Sequence, residues 1–256
     1  MRVTILMDIW SVCWRELKRF SRQRARIAAT IIQPMIWLVF MSNTFAGVGK
    51  LPGFPTSSYL EYMAPGIVVM STLFGGVFGG LSVVWDRRFG FLNKMLASPI
   101  GRSSIPVGKM LASALQSTFQ SSIILGAALL MGVKCVTGPL GILASISIAM
   151  LLCLLLSAIS LSLGAVIKTH ETLMVLMNFL TMPLIFTSSA LFPPSYMPSW
   201  LAAIARWNPL SFTVDSIRTI LIDGWSITII PKIAVLASLT LSVTFIATLL
   251  FNRSVE

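Results

Sequence analysis

The chain has 256 residues, 56% of them hydrophobic and 11% charged, and a mean hydropathy of +0.88, which leaves too little charge to clothe a soluble domain of this length. It contains no series of ~10-residue segments of alternating polarity, which excludes a membrane β-barrel. The formal net charge of +11 is concentrated between apolar runs, so it points to contact with anionic lipid and away from nucleic acid.

Residues 1–26 form a basic lead. Ile5, Leu6, Ile9, Trp10, Cys13, Trp14, Leu17 and Phe20 recur every three or four positions, the period of one helical face, and Asp8, Ser11, Arg15, Lys18, Arg19 and Arg22 fill the other. Such a helix is expected to lie in the headgroup plane, with Trp10 and Trp14 at the depth indoles prefer and Arg15 toward water. Two readings stand side by side, a topology anchor and a helix with a part in function. No A-x-A site follows the lead, so cleavage as a signal peptide is not expected.

Unbroken apolarity then predicts six transmembrane helices, near 27–46, 60–84, 111–133, 139–167, 172–191 and 228–251. Pro34, Pro65 and Pro183 fall inside them, which neighbouring helices tolerate. The second span carries Gly75, Gly76, Gly79 and Gly80, two overlapping G-x-x-x-G pairs that permit close helix approach. Packing within one subunit accounts for them; a pathway or subunit-contact role is the alternative. Of the 19 Lys and Arg residues, fourteen fall in the lead, in the loop 85–110 and at Lys168 and Arg253, all on one side of this topology. Both termini are therefore expected in the cytoplasm.

The loop 85–110 opens with Trp85-Asp86-Arg87-Arg88 and continues through a short helix whose apolar face is Phe89, Leu92, Met95 and Leu96. Ser98 before Pro99 is expected to end it, because a residue before proline avoids the α region. A compact helix, apolar on one side, suits docking into a groove of another protein; a positive-inside loop that only sets topology is the other reading. On the opposite side, 192–227 contains Pro193, Pro194 and Pro198. Two short apolar helices follow, near 198–206 and 209–221, parted by Asn208-Pro209. They are expected to form a re-entrant or outer-leaflet pair before the last span, with Asp215 and Arg218 three apart and able to pair within the second helix.

Catalytic constellations are missing. Gly49-Lys50 is followed by Leu51 and Gly108-Lys109 by Met110, and neither has the upstream glycine of a nucleotide-binding loop. The sole histidine, His170, gives Cys13, Cys135 and Cys153 no metal-ligand spacing and is expected, beside Glu171, to cap a helix end facing water. The chain is not expected to be an enzyme or to bind a cofactor or metal.

Two stretches, RRFGFLNKMLASPIGRSSIPVGK and PPSYMPSWLAAIARWNPLSFTVDSIRTILIDG, in this order among six spans, resemble the ABC-2 type permeases, the membrane subunits of certain ABC exporters. Within that family the chain is similar to permeases of the daunorubicin-resistance type. The resemblance covers nearly the whole chain, which reads as one transmembrane domain, 1–256. It implies an all-α polytopic protein of the plasma (inner) membrane, a homodimer or a heterodimer with a related permease, and a separate ATP-binding subunit that holds ATP and Mg. It also implies that Arg87, Arg88, Phe89, Leu92, Met95, Leu96 and Pro99 belong to a coupling helix of this chain that docks on that partner, and that Asn208, Pro209, Asp215 and Arg218 belong to the outer re-entrant segment. Where many members carry acidic residues beside a Gly-Thr, this chain has Asp86-Arg87-Arg88. Leu92→Asp is expected to uncouple transport while the protein stays in the membrane. An ion-gradient-driven secondary transporter is the alternative, although it usually needs ionisable residues inside the spans, which are nearly free of them.

Overall fold

The computed structural model describes residues 2–50, 54–56, 58–167 and 169–254; Lys168, and the side chains of Arg2 and Lys50 counted above, lie outside the described residues. Helix α1 is Arg2–Ser21 and α2 Arg24–Thr44, followed by α3 Tyr59–Arg88, the short α4 Phe91–Leu96 and α5 Ser104–Leu130. Helices α6 (Gly138–Val166), α7 (His170–Phe186), α8 (Ser199–Ala205), α9 (Pro209–Arg218) and α10 (Ile229–Ser254) complete the chain.

Among the described residues, α2, α3, α6 and α10 are long and apolar enough to cross a membrane. Helix α5 has the length, 27 residues, but Gln116, Gln120 and a row of serines dilute its apolarity. The expected fifth span is shorter than foreseen, because α7 stops at Phe186 after 17 residues. Its end is built: the Asn208 Nδ2 group donates to the Leu184 carbonyl at 2.7 Å, satisfying an acceptor that the terminating helix leaves open.

Helix α3 is the central post. It packs against α5 and α6 along its length and touches α2, α7 and α9 as well. The glycine ladder makes this possible. A Cβ at Gly76 would meet Leu156 and the Cys153 carbonyl, and one at Gly80 would collide with the Ser160 backbone. Gly79 sits between Ser157 and Ser113, whereas Gly75 only grazes Ser117. All four residues therefore face helices of the same chain. The Ser160 hydroxyl donates to the Val77 carbonyl at 2.7 Å across the same seam.

The outer helices of the bundle are greasy on their open faces. In α2 the buried residue is Leu38, while Ile32, Ile36, Trp37 and Phe40 are exposed. Phe179 and Phe186 of α7 and Leu241 and Phe245 of α10 are likewise uncovered. A helix that is apolar all round needs an apolar solvent. Lipid supplies it.

Candidate functional site

Two polar networks hold the ends of this bundle. At the end that carries α1 and α4, the stripe Val12, Cys13 and Glu16 of α1 turns inward and lies on α5, where Gly108 lets Val12 and the Ile9 carbonyl come close. Helix α1 is thus not a free interfacial helix with one wet face. Leu6, Met7, Trp10 and Trp14 form the uncovered apolar side, the two indoles stacked at 6.2 Å. Arg15 and Arg19, expected on the wet face, instead reach the neighbouring helices, and Glu16 between them does the same.

They meet Asp86 and Lys109 there. Asp86, at the end of α3, is 2% exposed and accepts from Lys109 Nζ at 2.5 Å, from Arg15 at 2.7 Å and from Arg19 at 3.3 Å. Lys109, in the second turn of α5 and 1% exposed, donates also to Glu16 at 3.0 Å and to the Ser82 hydroxyl at 3.1 Å. Glu16 is bonded to Arg15 as well. Burial alone would raise the Glu16 carboxyl above its ordinary value, but Lys109 and Arg15 beside it outweigh that and hold it below. Three cations and two carboxylates from three helices thereby form one unit in which each charge has an opposite partner.

The loop between α3 and α5 is shorter than expected, 89–103 in place of 85–110, because α3 continues to Arg88 and α5 begins at Ser104. Gly90, at φ 71°, makes the corner between α3 and α4, a backbone geometry that costs other residues a Cβ clash. Phe89 is the last position before that corner and stacks on Trp85 at 5.4 Å, so it does not share a face with Leu92. The short helix itself corrects the expected docking surface. Leu92 and Met95 point into the bundle against Val83, Ile105, Ala165 and Phe251, and Leu96 packs beside them. The residues turned outward are Phe89, Phe91, Asn93, Lys94, Ala97 and Pro99. Arg87 donates to the Ala165 carbonyl at 3.2 Å, and Arg88 lies 3.9 Å from Glu171. The loop is clasped at both sides: the Gly101 amide donates to Asp8 of α1 at 3.1 Å, and the Asn252 amide of α10 to Ser103 at 3.0 Å.

At the opposite end, Asn208 caps α9 by accepting from the Leu210 amide at 2.8 Å, with Pro209 in the first turn where its missing N–H costs nothing. Arg218 pairs with Asp215 at 3.4 Å, as the spacing predicts, but its main partners lie elsewhere. Its guanidinium stands 3.6 Å from the centre of the Tyr62 ring and donates to the Tyr62 and Ser189 carbonyls at 3.0 Å each. Asp215 accepts from the Ser189 hydroxyl at 2.6 Å and faces Lys232 at 3.4 Å. Helix α8 is different: Trp200 and Ile204 lie on its exposed side.

His170 does not cap a helix end in water. Its ring lies 4.6 Å from that of Trp85, and its buried Nδ1 has no hydrogen-bond partner among the described residues. The Glu16–Asp86–Lys109 unit was not read from the sequence. Its one signal was Glu16, an acid three and four positions beyond Cys13 and Val12 on a face that needed covering.

The fold and both networks define a helical membrane protein whose buried polar groups tie its helices together, with no cluster of metal-ligating side chains among its described residues. The profile of the ABC-2 type transporter family matches residues 7–222, and the chain belongs to that family. It is 32% identical to the ycf38 transport permease of Porphyra purpurea over 84% of this chain and 74% of that one. It is 23% identical to the daunorubicin resistance ABC transporter permease protein DrrB1 of Streptomyces coeruleorubidus, over 86% and 77%. Nodulation protein J of Rhizobium leguminosarum bv. trifolii matches at 22% identity over 95% and 93%. The chain is a multi-pass membrane subunit of an ABC transporter.

Proposed function

We propose that the chain is the permease subunit of an ATP-driven exporter, lining the translocation pathway and coupled to a separate ATP-binding subunit through the loop 89–103. The observation that carries this reading is the seating of α4: Leu92 and Met95 fasten it to the bundle, while Phe89, Phe91, Asn93 and Lys94 stay free for a partner's groove. A push on that surface passes directly to α1, α5 and α10, because Asp8, Ser104 and Asn252 meet the same loop. ATP and Mg belong on the partner.

In this reading six helices span the plasma membrane, α5 and α7 included, with both termini cytoplasmic, as the distribution of Lys and Arg supports. Helices α8 and α9 form the outer re-entrant segment, which Arg218 ties to α3 through Tyr62. The apolar open faces of α2 and α10 suit a second copy, or a related permease, and lipid.

The test is a mild-detergent pull-down of the tagged chain from its own cells, followed by ATPase assay of the complex in proteoliposomes. A stoichiometric soluble subunit with a nucleotide-binding loop, whose ATPase activity responds to this chain, is expected. A chain that comes down alone, also after cross-linking in intact membranes, and that moves solute under an ion gradient would replace this reading by secondary transport.

A further inference from the structure

Beside the inner charge cluster lies a cavity of about 540 Å³, between the α1–α2 corner and the inner halves of α3 and α5. This is within the ~300–1,000 Å³ range of small-molecule sites. Its walls combine two chemistries. Phe20, Phe78, Trp85 and Phe89 supply aromatic surface, and Arg19, Arg26 and Lys109 supply positive charge.

The cations differ in what they already hold. Lys109 and Arg19 are committed to Glu16 and Asp86. Among the described residues no carboxylate lies within ion-pairing distance of Arg26. Its contacts are the Gln23 side chain, to which it donates at 3.3 Å, and the Phe78 ring at 5.1 Å. The one carboxylate in the wall, Glu16, is itself saturated by Lys109 and Arg15. The buried Nδ1 of His170, which has no hydrogen-bond partner among the described residues, belongs to the same wall. A second, smaller cavity of about 40 Å³ shares Phe20, Arg26 and Phe78 with the first and is lined further along α2 and α3 by Thr30 and Phe74.

We infer that this cavity binds an anionic amphiphile: its phosphate or carboxylate on Arg26, its apolar part against Phe78, Trp85 and the groove toward Phe74. Arg26 stands in the first turn of α2, where the chain enters the apolar layer, the depth at which basic pockets between membrane helices take lipid headgroups. The same chemistry belongs to an anionic phospholipid of the bilayer or to an anionic amphiphilic cargo entering from the inner leaflet. The inference rests on the membrane class of the chain and not on ATP coupling.

The experiment is native mass spectrometry of the purified full chain in detergent, titrated with dioctanoyl phosphatidylglycerol and, separately, dioctanoyl phosphatidylcholine. The anionic lipid is expected to bind at about fivefold lower concentration, a margin that Arg26→Gln abolishes and Arg26→Lys largely keeps. Phe78→Ala is expected to weaken both lipids alike. Equal binding of the two lipids by the wild type, or a preference that survives in Arg26→Gln, overturns the proposal. A diazirine-bearing phosphatidylglycerol gives a readout that needs no variant: adducts are expected on the Phe20–Phe78–Trp85 wall, and labelling confined to other faces overturns the site. With the ATP-binding partner present, ATP-dependent loss of the adduct identifies the occupant as cargo. An adduct unchanged by ATP identifies it as a resident lipid, and both outcomes uphold the site.

Discussion

Lys109 Nζ stands 2.5 Å from Asp86 Oδ2, at the point where α3 leaves the bundle and α5 enters it. Both side chains are sealed from water, and the contact spans 23 residues of sequence that include the whole of α4. The pair therefore closes the base of the loop that the proposed partner would grip. Arg15, Glu16 and Arg19 add α1 to the same knot.

Breaking this knot at one partner is expected to cost more than removing both. Lys109→Met leaves Asp86 and Glu16 short of a cation in a buried site, a loss of about 3–5 kcal/mol. Asp86→Asn removes the charge that Arg15, Arg19 and Lys109 share and is expected to cost a similar amount. The double variant is expected to be more stable than the sum of the two losses implies. Thermal unfolding of the four proteins in one detergent completes the cycle, and strict additivity would dissolve the coupling.

The same knot sets an acid limit. The Glu16 carboxyl in the fold binds its proton less readily than in the unfolded chain, whose ordinary value is 4.5. Its contribution to stability is thus complete above that value and is lost as pH falls through the lower value of the folded state. Melting temperature is expected to drop on acidification below about pH 4.5 more steeply in the wild type than in Glu16→Gln. Parallel curves would assign the acid sensitivity to other groups.

For α4 the buried position of Leu92 reverses one expectation. Leu92→Asp places a carboxylate against Val83, Ile105 and Phe251, so it is expected to deplete folded protein instead of yielding an inserted, uncoupled permease. Phe91→Asp and Lys94→Glu alter the outward face and are expected to leave melting within about 0.5 kcal/mol of wild type. Each should at the same time lower stimulation of the partner's ATPase. A folded Leu92→Asp protein recovered at wild-type yield would contradict the seating of this helix.

The glycines of α3 are not equivalent. Gly80→Ala puts a methyl group onto the Ser160 backbone and is expected to destabilise by about 1–3 kcal/mol as α3 and α6 part. Gly75→Ala meets Ser117 Cβ at 3.5 Å, an ordinary contact, and is expected to be neutral or slightly stabilising through its better helix propensity. Melting curves of the two single variants decide it. Equal losses would mean that the seam is set by something other than backbone approach.

Much of the architecture was legible because a bilayer leaves few solutions. Long apolar runs had to become helices, and periodicity placed α1, α4, α8 and α9 within a few residues of where they form. Family membership was carried by local motifs, the short loop helix before Pro99 and the Asn208-Pro209 corner, whose turn chemistry is written in adjacent residues. Direction was harder. Both Phe89 and Leu92 look like one apolar face on a helical wheel, yet Gly90 turns the backbone between them and sends one outward and the other into the core.

The sequence by itself determined the class and the order of helices, since these follow from composition and from spacing over a few turns. Only the tertiary structure decided the company of the charges. Asp86 and Lys109 read separately as residues of one cytoplasmic loop, and Arg218 as one half of a pair within a helix. In the fold, desolvation forces every buried charge to find opposite charge or carbonyl oxygen, and two of the decisive partners, Lys109 for Asp86 and the Tyr62 carbonyl for Arg218, lie 23 and 156 positions away along the chain. No local pattern encodes partners at such separations, because the packing of α1, α3, α5 and α9 is what brings them within reach.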